Sequence, residues 1–494
     1  MRKIDPQVAW QLFDIETTRR IEQIAAQHLP AHTLMQRAGL ATAKLALALA
    51  PHARRVWIAA GPGNNGGDGL EAAAHLHARG KHVVVTWLGT PERAPADALA
   101  SWRHAVDARV EFAAQPPEQF DLALDALLGI GATRTPDAMM AQWISRMNSA
   151  AVPILAVDMP TGLSADTGHA GPTCVRASAT LCLLTLKPGL FTAFGRDASA
   201  QVWLDELQVD LMADDLPGAA VPCASLMGAP AFQVPPHASH KGSFGDVAVV
   251  GGAPGMLGAA LLAATAALHC GAGRVFVAPL ADPAMAVDCA QPELMVRRVG
   301  QLEMKHSAVV CGCGGGDAVR AVLPAILSTA GSLVLDADAL NAIAVDDQLK
   351  TQLRARSARH RRTILTPHPL EAARLLGTTT AEVQGDRLAA ARRIAQQYGC
   401  TVVLKGSGTV IAAPGQRPCI NPTGNHLLAS AGTGDVLAGV IGAALAHGLA
   451  EFTAACRAVY MHGLCADNWP AGTALTASAL AAALRPLHAG QPPR

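Results

Sequence analysis

Near the C-terminal end, an apolar run opens on four residues that can do chemistry, Gly432, Thr433, Gly434 and Asp435, within the stretch NPTGNHLLASAGTGDVLAG. Backbone N–H groups at a helix start have no intrahelical acceptor, and glycines let them come close to the oxygens of an anion such as phosphate. Phosphate would repel a carboxylate set among those groups. Asp435 is therefore better read as a base that takes a proton from an attacking hydroxyl. The plainer alternative is that it only complements the helix dipole.

A second set collects in the first half. Gly61-Pro62-Gly63-Asn64-Asn65-Gly66 has the spacing of a dinucleotide fingerprint, but the following strand ends in Thr86-Trp87-Leu88-Gly89, without a carboxylate to hold a ribose hydroxyl. Asn64, Asn65 and Asp68 make the loop polar, which suits a hydrated ligand or a monovalent cation better than a bare pyrophosphate. Asp125 with Gly129 and Gly131, and Asp158 with Thr161 and Gly162, stand at two further strand ends. Ligands of open α/β sheets gather at such ends. In the second half Asp336 and Asn341, His368 between two prolines, and Lys405-Gly406-Ser407-Gly408-Thr409 follow strands in the same way. Lys405 supplies a point charge and the glycines free N–H groups for a phosphate. Helix capping accounts for Asp336 and Asn341 equally well.

The elements that must position these residues alternate in the α/β manner. Two helices are expected between Glu16 and Ala50, then a strand at Arg55–Ala60, a turn over GPGNNGGDG, a helix at Leu70–Arg79 and a strand at His82–Leu88. Further strands are expected at 120–126, 154–158, 179–184 and 200–204. From about Met212 to Ser239 the chain turns Pro-, Ala- and Gly-rich and loses periodicity, as an interdomain connection does. A second series follows, with strands at 246–250, 274–278, 308–311, 333–336, 363–365 and 402–404 and a helix at Met256–Cys270.

At 494 residues the chain exceeds one core, and its 39 basic against 38 acidic residues, without a long Lys/Arg run, argue against a nucleic-acid partner. Eleven cysteines without a C-x-x-C pair give neither a zinc pattern nor a disulfide framework, and so point to a reducing cytosol. The longest apolar runs fall short of the roughly 20 residues that span a bilayer, so no membrane is expected as partner.

Through Met35-Gln36-Arg37-Ala38-Gly39, GPGNNGGDG, DALLGIG, VDMPTGL and Leu186-Lys187-Pro188-Gly189-Leu190, residues 10 to 210 resemble the YjeF N-terminal family, the NAD(P)H-hydrate epimerases. The resemblance implies a Rossmann-like three-layer sandwich. It implies substrate contacts at Asn64, Asn65, Gly66, Gly67, Asp68, Gly129, Ile130, Gly131, Ala132, Thr133, Arg134 and Thr135, and potassium ligands at Asn65, Asp125 and Thr161. Asp158 would touch the hydrated nicotinamide and is the leading candidate for moving a proton. Thr161 stands where the family usually has serine and keeps the oxygen ligand. Lys187 could act as an acid or base, but a surface lysine lying along apolar neighbours accounts for it nearly as well, and it is left outside the site.

Residues 228 to 485 resemble the ribokinase-like superfamily, and more closely its ADP/ATP-dependent NAD(P)H-hydrate dehydratase branch, in KGSFGDVAVVGGAPGMLGAA, LDADALN, LTPHPLEAARLL and NPTGNHLLASAGTGDVLAG. This implies an α/β/α domain with substrate contacts at Ala260, Gly316, His368 and Asp435. Nucleotide contacts would fall at Lys405, Gly406, Ser407, Gly408, Thr409 and Gly434, with Mg²⁺ in attendance. The chain departs at Cys313 and Gly315, where the family usually carries Pro and Leu, and a looser loop is expected there. Joined, the resemblances imply a two-domain α/β enzyme, with an epimerase domain at 1–215, a linker at 216–238 and an ADP-dependent dehydratase domain at 239–494. It would repair hydrated NADH and NADPH as a cytoplasmic homo-oligomer. The reading left open beside it is a hydroxymethylpyrimidine- or thiazole-type kinase joined to a non-catalytic YjeF module, because the AGTGD turn is shared across that superfamily.

Overall fold

The structure is a computed structural model that describes residues 1–131, 135–210, 220–232, 234–281 and 286–487. It divides into two compact units, Met1–Leu226 and Met227–Arg494. No helix among the described residues is long and apolar enough to cross a membrane.

The strands of the first unit are β1 (Arg2–Lys3), β2 (Trp10–Leu12), β3 (Arg55–Ala60), β4 (His82–Trp87), β5 (Glu111–Phe112), β6 (Leu122–Ala126), β7 (Ile154–Val157), β8 (Ala179–Leu183), β9 (Gln201–Asp205) and β10 (Ala224–Leu226). One sheet runs in the order β1-β9-β8-β7-β6-β3-β4-β5, parallel throughout except for the antiparallel edge β1. Both faces are covered, and β3 shows how. Val56, Ile58 and Ala60 enter one apolar cluster with Leu70, Ala73 and Leu45, while Trp57 and Ala59 enter another with Trp143, Ile144 and Met147. Alternate side chains of a strand point to opposite faces, so this apolar run feeds two cores and makes three layers. Within the stretch expected as a plain connection lies β10, paired antiparallel with β2.

The second unit contributes β11 (Asp246–Gly251), β12 (Arg274–Pro279), β13 (Met295–Val296), β14 (Ala308–Cys311), β15 (Ser332–Leu335), β16 (Arg362–Leu365), β17 (Thr401–Leu404), β18 (Val410–Ala412) and β19 (Cys419–Ile420). They lie in the order β13-β12-β11-β14-β15-β16-β17-β18-β19, parallel from β13 to β17 and antiparallel beyond. On one face, helices Leu257–His269, Thr433–Ala446 and Ala477–Ala483 pack on Val247, Val249 and Val310. The intervening residues Ala248, Val250, Val309 and Leu333 are buried as well.

One difference from the sequence reading bears on function. GPGNNGGDG is not all turn, because the helix begins at Asn64 and runs to Ala78. Three glycines in a helix start, Gly66, Gly67 and Gly69, oppose helix propensity. Here they are required by close packing: a Cβ on Gly66 would stand 1.9 Å from the Gly61 carbonyl oxygen, and one on Gly69 2.5 Å from the Ala126 methyl.

Candidate active sites

In the first unit the strand ends converge on a cavity of about 550 Å³ lined by Asn64, Asn65, Asp68, Gly129, Ile130, Gly131, Asp158 and Lys187, among others. Asp158 directly follows β7 with φ of 64°, a left-handed conformation that aspartate tolerates better than most side chains. Its Oδ1 receives the Lys187 ammonium at 2.6 Å, and its Oδ2 accepts from the Ile130 amide at 3.2 Å. Lys187, left outside the site on sequence grounds, is fully buried, and its amine also donates to the Leu183 carbonyl at 2.8 Å. Burial disfavours its charge, but the pairing with Asp158 outweighs this and raises its pKa. The LKPGL segment was the signal that could have found it.

Asp125 is fully buried at the end of β6. It accepts from the Thr161 amide and hydroxyl, each at 2.7 Å, and from the Leu127 amide at 3.3 Å. Burial still pushes it up to about 6 against those three bonds. The Thr161 hydroxyl in turn accepts from the Leu128 amide at 3.0 Å. Asn65 sits on the same cavity wall, and neither atom of its buried amide has a hydrogen-bond partner. An orphaned amide oxygen on the wall formed by Leu127 and Leu128, whose amides hold Asp125 and Thr161, fits a cation that takes oxygen ligands.

The cavity holds more carboxylates than sequence reasoning named. Glu22 and Asp97 line it too, beside the Arg19 guanidinium. Burial, then Asp158 and Glu22, hold Asp68 well above the usual carboxylate range, and burial followed by Asp158 raises Glu22. The remaining sequence-named residues fall differently. Gly66 and Gly67 are buried in helix packing, Thr135 is exposed and absent from the cavity lining, and Ala132, Thr133 and Arg134 lie outside the described residues.

In the second unit, helix Thr433–Ala446 starts at Gly432, whose φ of 88° is left-handed and whose conformation glycine supplies. The Thr433 hydroxyl donates to the Leu428 and Ser430 carbonyls at 2.8 and 2.9 Å, and buried His462 meets the Thr433 carbonyl at 3.0 Å. Burial pushes His462 down to about 4, so the ring is neutral and serves as a fixed donor. Asp435, half-buried in the first turn, is pushed up to about 6 by burial and then by Asp336. A bond from the Cys313 thiol and the charge of Lys405 pull the other way.

Lys405 follows β17 and places its ammonium 2.7 Å from Asp336 Oδ1 and 4.0 Å from Glu371 Oε2. A Cβ on Gly434 would stand 3.4 Å from that amine, so Lys405 faces the helix start. Asp336 occupies the N-cap position of helix Ala337–Val345 without capping it, and takes the Thr366 hydroxyl at 2.7 Å instead. Capping therefore does not account for Asp336. Asn341 is likewise engaged elsewhere, with Arg374 at 2.6 Å. His368 does cap helix Pro369–Leu376, accepting at Nδ1 from the Leu370 and Glu371 amides, while its Nε2 lies 3.1 Å from Glu371 Oε1. Beneath Lys405-Gly406 the buried Arg387 guanidinium donates to the Leu404 and Lys405 carbonyls at 3.1 Å each.

The loop after β14 is pinned rather than loose. Gly312, Gly314 and Gly316 all have positive φ. The Cys313 carbonyl accepts from the Gly252 amide at 3.0 Å, the Gly314 carbonyl from the Ala253 amide at 2.7 Å, and the Gly316 amide donates to Asp338 at 2.8 Å. Cys313 is buried, with its sulfur, one Asp336 oxygen and one Asp435 oxygen within 4.8 Å of one another. Ala260 is buried where its helix packs on the Gly252 turn.

Two family models match: YjeF-related protein N-terminus over residues 31–189 and NAD(P)H-hydrate dehydratase over residues 247–485. The bifunctional NAD(P)H-hydrate repair enzyme Nnr of Escherichia coli (strain K12) is 36% identical over 476 residues, covering 94% of this chain and 90% of that one. The chain belongs to the bifunctional NAD(P)H-hydrate repair enzymes. Its first unit is the epimerase half and its second the dehydratase half. The second is 45% identical, over 255 residues, to the ADP-dependent (S)-NAD(P)H-hydrate dehydratase of Neisseria meningitidis serogroup B, covering 50% of this chain and 85% of that protein. A solved ADP/ATP-dependent dehydratase of Bacillus subtilis, co-crystallised with ATP and Mg²⁺, is 33% identical, with a TM-score of 0.43 over 51% of this chain and 91% of its own.

Proposed function

We propose that residues 1–215 interconvert the two epimers of hydrated NADH or NADPH and that residues 239–494 dehydrate one of them, with ADP as the favoured phosphoryl donor. The observation that carries this reading is the placement of Asp435. A carboxylate pushed up to about 6 stands in the first turn of a glycine-started helix that faces the Lys405 amine.

Hydroxide leaves poorly at neutral pH, whereas phosphate leaves readily. In the dehydratase half Asp435 takes the proton of the hydrate hydroxyl, and that oxygen attacks the terminal phosphoryl of ADP, with AMP departing. The ring nitrogen lone pair then expels phosphate, and loss of the neighbouring ring proton restores the dihydronicotinamide. Lys405 and the amides around Gly434 steady the nucleotide phosphates, together with the Gly406–Thr409 turn that Arg387 supports from below. Mg²⁺ would neutralise charge on the transferring group, and Asp336 would be a carboxylate able to hold it while Asp435 acts on the substrate.

In the epimerase half the hydroxyl-bearing carbon opens to an iminium and is re-attacked on the other face, which needs a proton carrier and no redox step. Asp158, locked on Lys187, would contact the nicotinamide, and Asp68 and Glu22, both raised, are groups able to hold a proton near it. Potassium would be held by Asn65, Asp125 and Thr161 and would supply a fixed positive charge. All eleven cysteines are free thiols, which supports a reducing, cytoplasmic setting. Assembly as a homo-oligomer is part of the same reading and is checked by light scattering.

The test is incubation of mixed hydrate epimers with ADP or ATP, following dihydronicotinamide absorbance and AMP. Full conversion of both epimers with free phosphate is expected. A stable phosphorylated product, or one epimer left untouched, would overturn the reading.

A further inference from the structure

One turn beyond Asp68 on helix Asn64–Ala78, Glu71 is 1% exposed, and three imidazoles converge on its carboxylate. His104 Nδ1 lies 2.9 Å from Oε1, His75 Nε2 3.6 Å from Oε1, and His32 Nε2 3.8 Å from Oε2. Oε2 is buried and has no hydrogen-bond partner. A carboxylate oxygen in that state is costly unless something neutralises it. We propose that Glu71, His75 and His104, with His32 as the fourth candidate, form a binding site for a divalent transition-metal ion of the zinc class, separate from both catalytic centres.

The residue types and spacing suit such an ion. Glu71 and His75 are four apart on one helix and so share a face. Imidazole nitrogen and carboxylate oxygen are the ordinary partners of zinc at about 2.0 to 2.1 Å, so ligand atoms on a tetrahedron stand about 3.3 Å apart. The three nitrogen–oxygen separations to Glu71 bracket that value, whereas the ring nitrogens stand farther from one another than a closed site would hold them. Closing the set requires the His75 and His104 rings, whose centroids are 6.0 Å apart, to rotate toward a shared ion; their side chains are 32% and 48% exposed and have room to do so. His32 would exchange its 2.8 Å bond to the Ser101 hydroxyl for the metal.

The ion would tie three segments together. His32 directly precedes helix Thr33–Leu49, Glu71 and His75 lie on Asn64–Ala78, and His104 lies on Ala96–Asp107. Each of these helices also lines the epimerase cavity, through Met35, Asn65 and Asp97. The metal would therefore stiffen the wall of that cavity.

The full chain is titrated with zinc chloride by calorimetry in a non-chelating buffer, alongside His75→Ala, His104→Ala and Cys313→Ser. The last variant removes the thiol of the Cys313, Asp336 and Asp435 group, the rival binder. One zinc per chain is expected at micromolar affinity or tighter, weakened at least tenfold in each histidine variant and kept in Cys313→Ser. X-ray absorption of the zinc-loaded protein should show nitrogen and oxygen neighbours without sulfur. Because both histidines are part-exposed, the variants should fold, and a matching circular dichroism spectrum verifies this. Absence of binding at about 100 µM zinc, binding that survives both histidine substitutions, or binding lost in Cys313→Ser would each overturn the proposal.

Discussion

Asp435→Asn keeps the size of the side chain and the turn around it while removing the base. Loss of a positioned general base costs about a hundred- to ten-thousand-fold in rate, so the variant's dehydratase turnover should fall by that factor. The wild-type pH profile gives an independent measure. Burial and Asp336 push Asp435 up to about 6, which favours its neutral acid form, so the ionised form needed for catalysis is lost as pH falls through that value. A group titrating at about 6 is roughly nine-tenths ionised at pH 7 and about one-tenth at pH 5, so turnover with saturating substrate should drop about tenfold between them. The assay follows dihydronicotinamide absorbance with purified hydrate and ADP, while epimer exchange is measured in the same samples as an internal control. A variant within a few-fold of wild type, or a flat wild-type profile from pH 5 to 7, would refute the assignment of Asp435.

Three other outcomes follow from particular contacts. Lys187→Met should abolish epimer exchange and spare dehydration; because it strands the buried Asp158 charge, it should also lower the stability of the first unit by about 3 to 5 kcal/mol in denaturant titration. Cys313→Ala removes a donor to Asp435, so the acid limb of dehydratase activity should move upward by about half a unit to one unit, which a pH series on the variant would reveal. Gly439→Ala would ordinarily favour a helix, yet its Cβ would lie 2.0 Å from the Ala263 carbonyl oxygen, so helices Leu257–His269 and Thr433–Ala446 must separate. A net loss of about 2 to 4 kcal/mol is expected, read as a lower thermal midpoint for dehydratase activity than for epimer exchange.

Strand placement was legible because apolar runs such as Arg55–Ala60 and Ala308–Cys311 are bounded by glycine and polar residues, and the residues that end them, Asp158, Asp336, His368 and Lys405, marked the site-bearing edges. The helix start at Asn64 was not legible. Its glycines are there for backbone approach to Gly61 and Ala126, a tertiary demand that propensity opposes. Lys187 was set aside because a lysine in a loop is usually solvated, and only the fold reveals that its partner lies 29 positions upstream. Asp336 looked like a cap because it occupies the cap position; that its Oδ1 accepts from both Lys405 and Thr366 depends on three strands lying side by side. The carboxylates Glu22 and Asp97 and the histidines around Glu71 come from helices with no motif spacing between them.

The Lys405 ammonium rests on Asp336 at 2.7 Å. On the proposed mechanism, nucleotide entry is thus an ion exchange, in which a phosphate takes the cation from a carboxylate already in possession of it. The displaced carboxylate then turns toward whatever positive charge the newcomer carries, so a metal-loaded diphosphate is accepted and a bare one leaves an anion stranded. Discrimination between the two would arise from swapping counterions, without any group devoted to recognising the metal.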